Sequence, residues 1–577
     1  MRQGIPDSLA AGYGCLAAWA DLLDRINVFP VADGDTGANL RVSLAPLRDA
    51  AADPTLLPQR LGRCAIGNSG NIAAAFFREL CQAGAVAELA ARAARGREAA
   101  WQAVAAPRAG TMLSVFDALA DGLAALPVIG PAEAGVLCRG MRQAVLDGVR
   151  QVPELRGAGV VDAGALGMYV FFDGVLRALT DAAGASASVV ELFAGWLQRH
   201  DDAAVAAPSD FCVDLRLRSV EADRAGLRRR IAGLGDSVVV GELDGAELKV
   251  HVHTPDPAAL RSRLGDLGEI THWSDERIEH TAAAARDQGL RGPLHIMTDA
   301  AASLPRELAR QAGLTLLDSY IVAEGESRPE SLYCPAEIYS LLRHGKKITT
   351  AQASNFERFQ HYDSVCRQFG PTLYLATGSA YTGNHAAALA WKAAQDPADL
   401  LQVEDSGAAS GRLALMALLG ARCAGAADSA AAVLACVRRL KHACEEFVFI
   451  DQLRYLVAGG RVSRSRGMFA DLLHLKPVIS PAPAGVRKLG VVRSREGQVD
   501  FALARLSERF VPADAPTLLI QYSDNQDWVE SVVVARLRQL YPAAEILCLP
   551  LSLTSGVHMG PGTWALACCA APDMTVP

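Results

Sequence analysis

The sequence predicts a multidomain chain: an all-α block, then a small α+β block of ferredoxin-like order, then an α/β block. Three observations carry this. Up to about residue 195, apolar side chains recur at spacings of three and four, the period of amphipathic helices. At Phe211 the pattern switches to alternation of period two, as in a strand. From Pro293 onward, short apolar runs alternate with helical stretches, as in sheets wound with crossover helices.

The helical block contains the runs Leu9–Ile26, Asn71–Leu89, Leu113–Leu126, Ala132–Val152 and Gly164–Ala182, separated by short Gly, Pro, Asn and Asp loops. Asp201–Asp210, polar and Ala-rich, reads as a linker. Phe211–Arg218 then reads as a strand, and Glu221–Leu234 as a helix stopped by Gly235. Ser237–Val240 and Glu247–Val252 are strands joined at Asp244-Gly245, Pro257–Leu264 is a helix, and Glu269–Trp273 a last strand. That βαββαβ order is the ferredoxin-like one. In the last block, strands are expected at Leu294–Met297, Leu314–Val322, Thr372–Thr377, Leu401–Val403, Glu446–Phe449, Thr517–Tyr522 and Glu545–Leu549. Such alternation predicts a largely parallel sheet with ligands at the carboxyl ends of its strands. The expected boundaries are 1–198, 199–288 and 289–577.

Composition excludes several classes. A chain of 577 residues accommodates three or four domains, and 51% hydrophobic with 21% charged residues is globular rather than disordered. A net charge of −7 supplies no basic field for nucleic acid. The 13 cysteines are scattered without a CxxC pair, so the expectation is unpaired, mostly buried thiols in a reducing cytoplasm. Apolar runs such as Ala430–Val437 fall short of the ~20 residues of a membrane span, and Met1–Ala10 shows no secretory pattern.

The sharpest local feature is Asn27-Val-Phe-Pro-Val-Ala-Asp-Gly-Asp-Thr-Gly-Ala-Asn39. Asp33 and Asp35 are separated by one glycine, and carboxylates so close repel unless a cation lies between them. Hard oxygen ligands beside a glycine-rich backbone suit Mg²⁺ shared with nucleotide phosphates. An isolated Asp-Gly-Asp is more often a solvated turn. Here three further polar loops stand at helix starts, where exposed N–H groups accept phosphate: Gly67-Asn68-Ser69-Gly70, Gly110-Thr111-Met112 and Ala158–Gly164.

On these residues, positions 8–190 resemble the DhaL-type nucleotide domain of dihydroxyacetone kinases, and more closely the ATP-binding subunit of bacterial fatty acid kinase. The resemblance implies a barrel of eight helices with ATP or ADP and two Mg²⁺ at one end. Carried over by position, Asp33, Asp35 and Asn27 are metal ligands. Asn39, Gly67, Asn68, Ser69, Gly70, Thr111 and Asp162 lie in the nucleotide site. The chain departs from the pattern at Ala38, where Thr is usual, and at Asn71.

In the middle block, His251 and His253 share one strand face, while Val250 and Val252 point to the helices, leaving the histidines on the open face. The first and third strands of a ferredoxin-like sheet are neighbours, so Cys212 can approach the pair and complete a zinc set. Two surface histidines and a half-buried thiol fit the spacing equally well. The middle domain of the fatty acid kinase subunit has a similar cysteine and HVHT strand that bind zinc, which implies a structural Zn²⁺ here.

The last block carries small-hydroxyl loops: Thr298–Ser303, Thr349–Gln352 before a helix, Thr377–Gly383 and Asp405–Gly407. Leu453–Ser463 contributes Arg461, and Gly556–Gly562 places His558 in a tight glycine loop. Each alone is ordinary α/β punctuation. As a set, over about 292–575, they resemble the DegV family of fatty-acid-binding proteins. The family's TDS, TSQP, LSGT, DS, GGR and HxGPG appear as TDA, TAQA, YTGN, DS, GGR and HMGPG. The resemblance puts Thr350, Thr382 and Gly383 on a fatty acyl carboxylate, with Arg461 and His558 beside it. Ala300, Ala351 and Ala353 replace the usual Ser, Ser and Pro.

Together these resemblances imply a fused fatty acid kinase that passes the γ-phosphoryl of ATP to a long-chain fatty acid. Asp33 and Asp35 would hold the metals, and Arg461 or His558 would balance charge, making these four the catalytic candidates. The expected surroundings are a homo-dimer, a downstream acyl-phosphate acyltransferase, transient contact with a membrane surface, and no nucleic acid. Two other readings stay open: a glycerone-type small-molecule kinase, and a non-catalytic lipid carrier or sensor.

Overall fold

The computed structural model describes residues 4–181, 188–199, 211–277, 292–459 and 475–570, apart from 52, 127, 222, 244 and 325. The chain forms two compact units, Met1–Arg286 and Asp287–Pro577.

The first unit opens with helices α1 (Ile5–Ile26), α2 (Thr36–Leu44), α3 (Leu57–Cys64), α4 (Gly67–Leu80), α5 (Leu89–Ala103), α6 (Met112–Ala125), α7 (Pro131–Gln151), α8 (Pro153–Ala158), α9 (Ala163–Thr180) and α10 (Val189–Leu192). The run expected over Asn71–Leu89 is broken. α4 stops at Leu80, and a turn at Gly84, whose N–H donates to Glu88 Oε2 at 2.9 Å, precedes α5. Phenylalanines spaced along α4, α6 and α9 meet in the core. Phe76 stacks on Phe116 at 4.0 Å between centroids, and Phe77 meets Phe171 edge-on at 4.6 Å.

The same unit continues into β1 (Phe211–Arg218), α11 (Arg224–Ala232), β2 (Asp236–Glu242), β3 (Glu247–Thr254), α12 (Pro257–Gly265) and β4 (Glu269–Arg277). The sheet order β2-β3-β1-β4, with β1 antiparallel to β3, is the expected ferredoxin-like arrangement. Val213, Leu215, Leu217, Val250 and Val252 pack on Leu227, Ile231, Leu260 and Leu264 of the two helices. The opposite sheet face, which the sequence suggested to be open, is covered. α4 packs against β2 and β3 there, and His251 and His253 are 0% and 3% exposed. One edge is extended by the helical region, where Val104 forms an antiparallel bridge with Val239 and Ala105 N–H donates to Val238 O at 3.0 Å.

The second unit holds β5 (His295–Asp299), α13 (Arg306–Gln311), β6 (Leu314–Leu317), β7 (Tyr320–Ala323), β8 (Glu326–Pro329), α14 (Pro335–Arg343), β9 (Ile348–Ala351), α15 (Asn355–Phe369), β10 (Thr372–Ala376), α16 (Asn384–Gln395) and β11 (Leu401–Asp405). It continues with α17 (Ser410–Ala426), α18 (Ala430–Ala443), β12 (Glu445–Phe449), α19 (Leu453–Ala458), β13 (Lys476–Ala482), β14 (Gly485–Val492), β15 (Thr517–Tyr522), β16 (Glu545–Pro550) and β17 (Trp564–Cys569). β11-β10-β5-β6 is a parallel sheet. The expectation of a largely parallel sheet ends there. In the six-stranded sheet β14-β13-β12-β17-β15-β16, only β15 and β16 pair in parallel, and β8-β7-β9 is antiparallel. α17 is apolar on all sides because it is sandwiched: its residues cluster with Ile296 and Leu375 of one sheet and Leu519 and Ala567 of the other.

Cys423 and Cys436 are joined in a disulfide, which corrects the expectation that every thiol is unpaired. They stand on the neighbouring helices α17 and α18, 13 residues apart in sequence but 6.6 Å apart at Cα. Among the described residues no helix is long and apolar enough to cross a membrane.

Candidate functional site

In the first unit a cavity of about 470 Å³ is lined by Asn27, Asp33, Asp35, Asn39, Asn68, Ser69, Thr111 and Asp162, and also by Cys212, His251 and His253. The loop between α1 and α2 carries the acidic pair. Asn27 Nδ2 donates to Asp33 Oδ1 at 2.6 Å, while the buried Asn27 Oδ1 has no hydrogen-bond partner. Asp24, at the end of α1, accepts Gly37 N–H at 2.6 Å and Ala38 N–H at 3.1 Å, which anchors the start of α2. Only glycine fits at 37, since a Cβ there would lie 2.0 Å from the Ala20 carbonyl oxygen.

Three carboxyl groups are therefore brought together at the α1–α2 loop. Burial, with the neighbouring Asp33 charge, raises Asp35 to about 8. Burial also raises Asp33. Asp24 goes up to about 7, first through burial and then through Asp21. Asp24 was not foreseen: it is an ordinary acidic residue in a helical run, and only folding brings it to the loop.

Gly67-Asn68-Ser69-Gly70 is the first turn of α4 rather than a loop ahead of it. Gly67 has φ +63° and lies so close to Asn39 that a Cβ would sit 2.1 Å from its Nδ2. Asn68 Oδ1 is buried without a partner. Gly70 is turned inward against Ser43. Thr111 caps α6, accepting Leu113 N–H at 3.4 Å, and Asp162 caps α9, accepting Ala165 N–H at 2.7 Å. Burial raises Asp162 to about 7. Arg108, also on the cavity wall, sits over the Phe29 ring at 5.3 Å and was not singled out from sequence.

Cys212 stands opposite His253 in the β1–β3 register. Cys212 Sγ is 3.9 Å from His251 Nδ1, and the ligand atoms of Cys212, His251 and His253 all lie within 4.8 Å of one another. His251 Nε2 and His253 Nε2 are 3.2 Å apart. Two imidazole nitrogens on a tetrahedral Zn²⁺ stand about 3.3 Å apart, so the pair fits one ion. Burial and then the His251 charge lower His253 to about 3, leaving it as the neutral imidazole a metal requires.

Behind the set lies Asp214, 3.3 Å from His251 Nδ1 and 3.4 Å from Lys249 Nζ. Burial opposes its ionisation, but the charge and hydrogen bond of His251, with Lys249, hold its carboxyl well below the usual range. Its other partners are Gly67 N–H at 3.0 Å and Asn71 Nδ2 at 3.1 Å. Asn71, which departs from the family pattern, is thus tied to the middle sheet.

In the second unit a cavity of about 400 Å³ is lined by Thr350, Thr382, Gly383 and His558, with Val448, Leu456, Ile479 and Val486 forming an apolar wall. Thr350 Oγ1 lies 3.0 Å from His558 Nε2. His558 belongs to the helix Leu553–Met559, not to the glycine loop that follows it. Gln352 Nε2 donates to Thr382 Oγ1, which donates to Asn384 Oδ1 at 2.8 Å. Asn384 Nδ2 in turn donates to Asp299 Oδ1 at 2.9 Å. Ala351, one of the departures from the family pattern, is on the wall, as is Arg358 of α15, which sequence reasoning passed over. Arg461 lies outside the described residues.

Residues 30–177 match the DAK2 domain, 209–284 the FakA-like middle domain of fatty acid kinase, and 293–571 the DegV family. The chain is a DhaL-type plus DegV fusion. The matched domains fit a fatty acid kinase architecture, and the DAK2 and middle-domain matches suggest a kinase-type component. It is 25% identical over 278 residues to a DegV domain-containing protein of Clostridium perfringens, covering 47% of this chain and 95% of that one. It is 28% identical over 315 residues to an uncharacterized protein of Staphylococcus epidermidis, covering 49% of this chain and 56% of that one. The fusion thus spans little more than half the length of this staphylococcal relative. A solved DegV family protein from Thermus thermophilus, described as fatty acid binding, is 24% identical, covering 48% of this chain and 100% of that one at a TM-score of 0.45.

Proposed function

We propose that the protein is a fatty acid kinase, transferring the γ-phosphoryl group of ATP to a bound long-chain fatty acid and releasing acyl phosphate and ADP. One observation carries the reading. A cavity lined by the closely spaced carboxylates Asp33 and Asp35 and by Asp162, in the DAK2 region, and a hydroxyl-lined apolar cavity, in the DegV region, occur in one polypeptide.

The partnerless Asn27 oxygen and the desolvated Asp33 and Asp35 fit Mg²⁺, since a cation would satisfy the first and relieve the repulsion of the other two. These three residues would hold it. Bound there, magnesium neutralises phosphate charge. The Gly67 N–H is taken by Asp214, and the N–H groups that follow it in the first turn of α4 would face phosphate, while Asn39, Asn68, Ser69, Thr111 and Asp162 position the nucleotide. Thr350, Thr382 and Gly383 orient the acyl carboxylate, with His558 beside Thr350. A carboxylate oxygen attacks the γ-phosphorus and the bond to the ADP oxygen breaks. The nucleophile is already ionised at neutral pH, so the chain needs no general base, and its task is positioning. Cys212, His251 and His253 fit a structural zinc.

The acyl phosphate is an activated acyl donor, which a downstream acyltransferase would consume. The test is ADP release by the purified full-length protein with Mg-ATP and a panel of fatty acids. Acid-dependent turnover is expected. Turnover with dihydroxyacetone alone would replace the reading by a glycerone-type kinase, and retained lipid without turnover by a carrier.

A further inference from the structure

Arg358 is the fourth residue of α15 and is 3% exposed, yet its side chain reaches the wall of the second unit's cavity. Its nearest countercharge is Asp299, at 3.6 Å from Nη1, beyond hydrogen-bond distance. Asp299 is otherwise engaged: Oδ1 accepts Tyr374 OH at 2.7 Å and Asn384 Nδ2 at 2.9 Å, and Oδ2 accepts Thr377 N–H at 2.8 Å. Apart from an interaction with the neutral Tyr362 hydroxyl, Arg358 Nε and Nη1 have no hydrogen-bond partner, and neither does the buried hydroxyl of Thr377 on the same wall.

A guanidinium cannot shed its proton, and a buried charged donor without an acceptor is costly. The fold tolerates such a group where a ligand supplies the acceptor. Among the described residues lining the cavity, Arg358 is the one permanent charge, and none is Asp or Glu. Thr350 and Thr382 cannot by themselves tell an acid from an alcohol, because a hydroxyl both donates and accepts. A fixed cation can.

We propose that Arg358, with the Thr377 hydroxyl, receives the anionic oxygen of the ligand in this cavity and so selects carboxylates over neutral lipids of the same length. This rests on the fatty-acid reading and adds to it the group that enforces head-group charge. Arg358 is joined to the hydroxyl cluster through Asp299, Asn384 and Thr382, so one end of the ligand would meet both.

The experiment compares binding of hexadecanoate and hexadecan-1-ol to the full chain by native mass spectrometry and calorimetry. Wild type is expected to prefer the acid by about tenfold or more, the scale of one charge-assisted hydrogen bond. Arg358→Gln, checked for folding by its melting transition, is expected to bring the two ligands within about threefold. Arg358→Lys keeps the charge but loses the fork, and supplies a second variant should Arg358→Gln not fold. It is expected to keep the preference while binding the acid about fivefold more weakly. A folded Arg358→Gln with the full preference, or Arg358→Lys with unchanged acid affinity, overturns this assignment alone. Wild type that binds neither ligand overturns the fatty-acid reading and this assignment with it.

Discussion

The Asp214 carboxylate accepts the backbone N–H of Gly67 at 3.0 Å, across 147 residues of sequence. Gly67 starts the helix whose first turn lines the nucleotide-type cavity, and Asp214 leans on His251 of the Cys/His set. One side chain thus holds both the candidate phosphate turn and a candidate metal ligand.

Asp214→Ala leaves the buried Lys249 without its countercharge and His251 without its hydrogen-bond partner. It is expected to cost about 3–5 kcal/mol of stability and to weaken zinc retention roughly tenfold to a hundredfold. Urea unfolding and metal analysis of the purified protein check the two effects. Full zinc content in the variant would show that Asp214 does not orient His251.

Asp33→Asn and Asp35→Asn are each expected to lower acid-dependent ADP release by about 10²–10³-fold, because charge opposite the phosphates is lost. Hexadecanoate retention, read by native mass spectrometry, should be unchanged in both. Loss of the lipid in either variant would break the division of labour between the two cavities.

Gly37→Ala drives a Cβ to 2.0 Å from the Ala20 carbonyl oxygen, so α2 must move away from α1. A loss of about 3 kcal/mol is expected, with a lower melting temperature and weaker Mg-ATP binding, since Asp35 immediately precedes α2. Calorimetry reads both quantities. A variant with unaltered melting would show that the helices yield at no cost.

Glu446, on β12 and 1% exposed, is raised to about 7, chiefly by burial, against the hydrogen bonds it accepts from Ser410, Arg412 and Gly411. The folded protein keeps a proton that the unfolded chain has released above its ordinary value of 4.5. Its contribution to stability is therefore full below pH 4.5 and is lost as pH rises through about 7. Glu446→Gln is expected to flatten the melting temperature between about pH 5 and 8, a span worth up to about 3 kcal/mol. A slope identical to wild type would exclude Glu446 as its source.

The segment Asn27–Asn39 and the Thr111 and Asp162 caps were legible because each is a local statement about a few consecutive residues at a helix boundary. The βαββαβ order likewise fixed the neighbours of β1, and hence the approach of Cys212 to His253. Asp24, Asp214 and Arg358 were not legible. Asp24 and Arg358 read as ordinary charges on amphipathic helices, and Asp214 as the outward residue of a strand; Asp24 meets the start of the next helix across the loop, and Asp214 meets Gly67 across 147 residues. The histidines were expected on a bare sheet face because nothing in Glu247–Val252 announces that α4 covers it. The largely parallel sheet failed for a related reason. Runs such as Glu446–Phe449 declare a strand but not its neighbour, and β12 lies between two antiparallel partners.

The Val104–Val239 bridge has a practical corollary. Expressing the middle βαββαβ portion alone would strip a backbone partner from β2, leaving amide and carbonyl groups ready to recruit a stranger's strand. Self-association of that fragment would thus report a severed edge rather than a native quaternary habit.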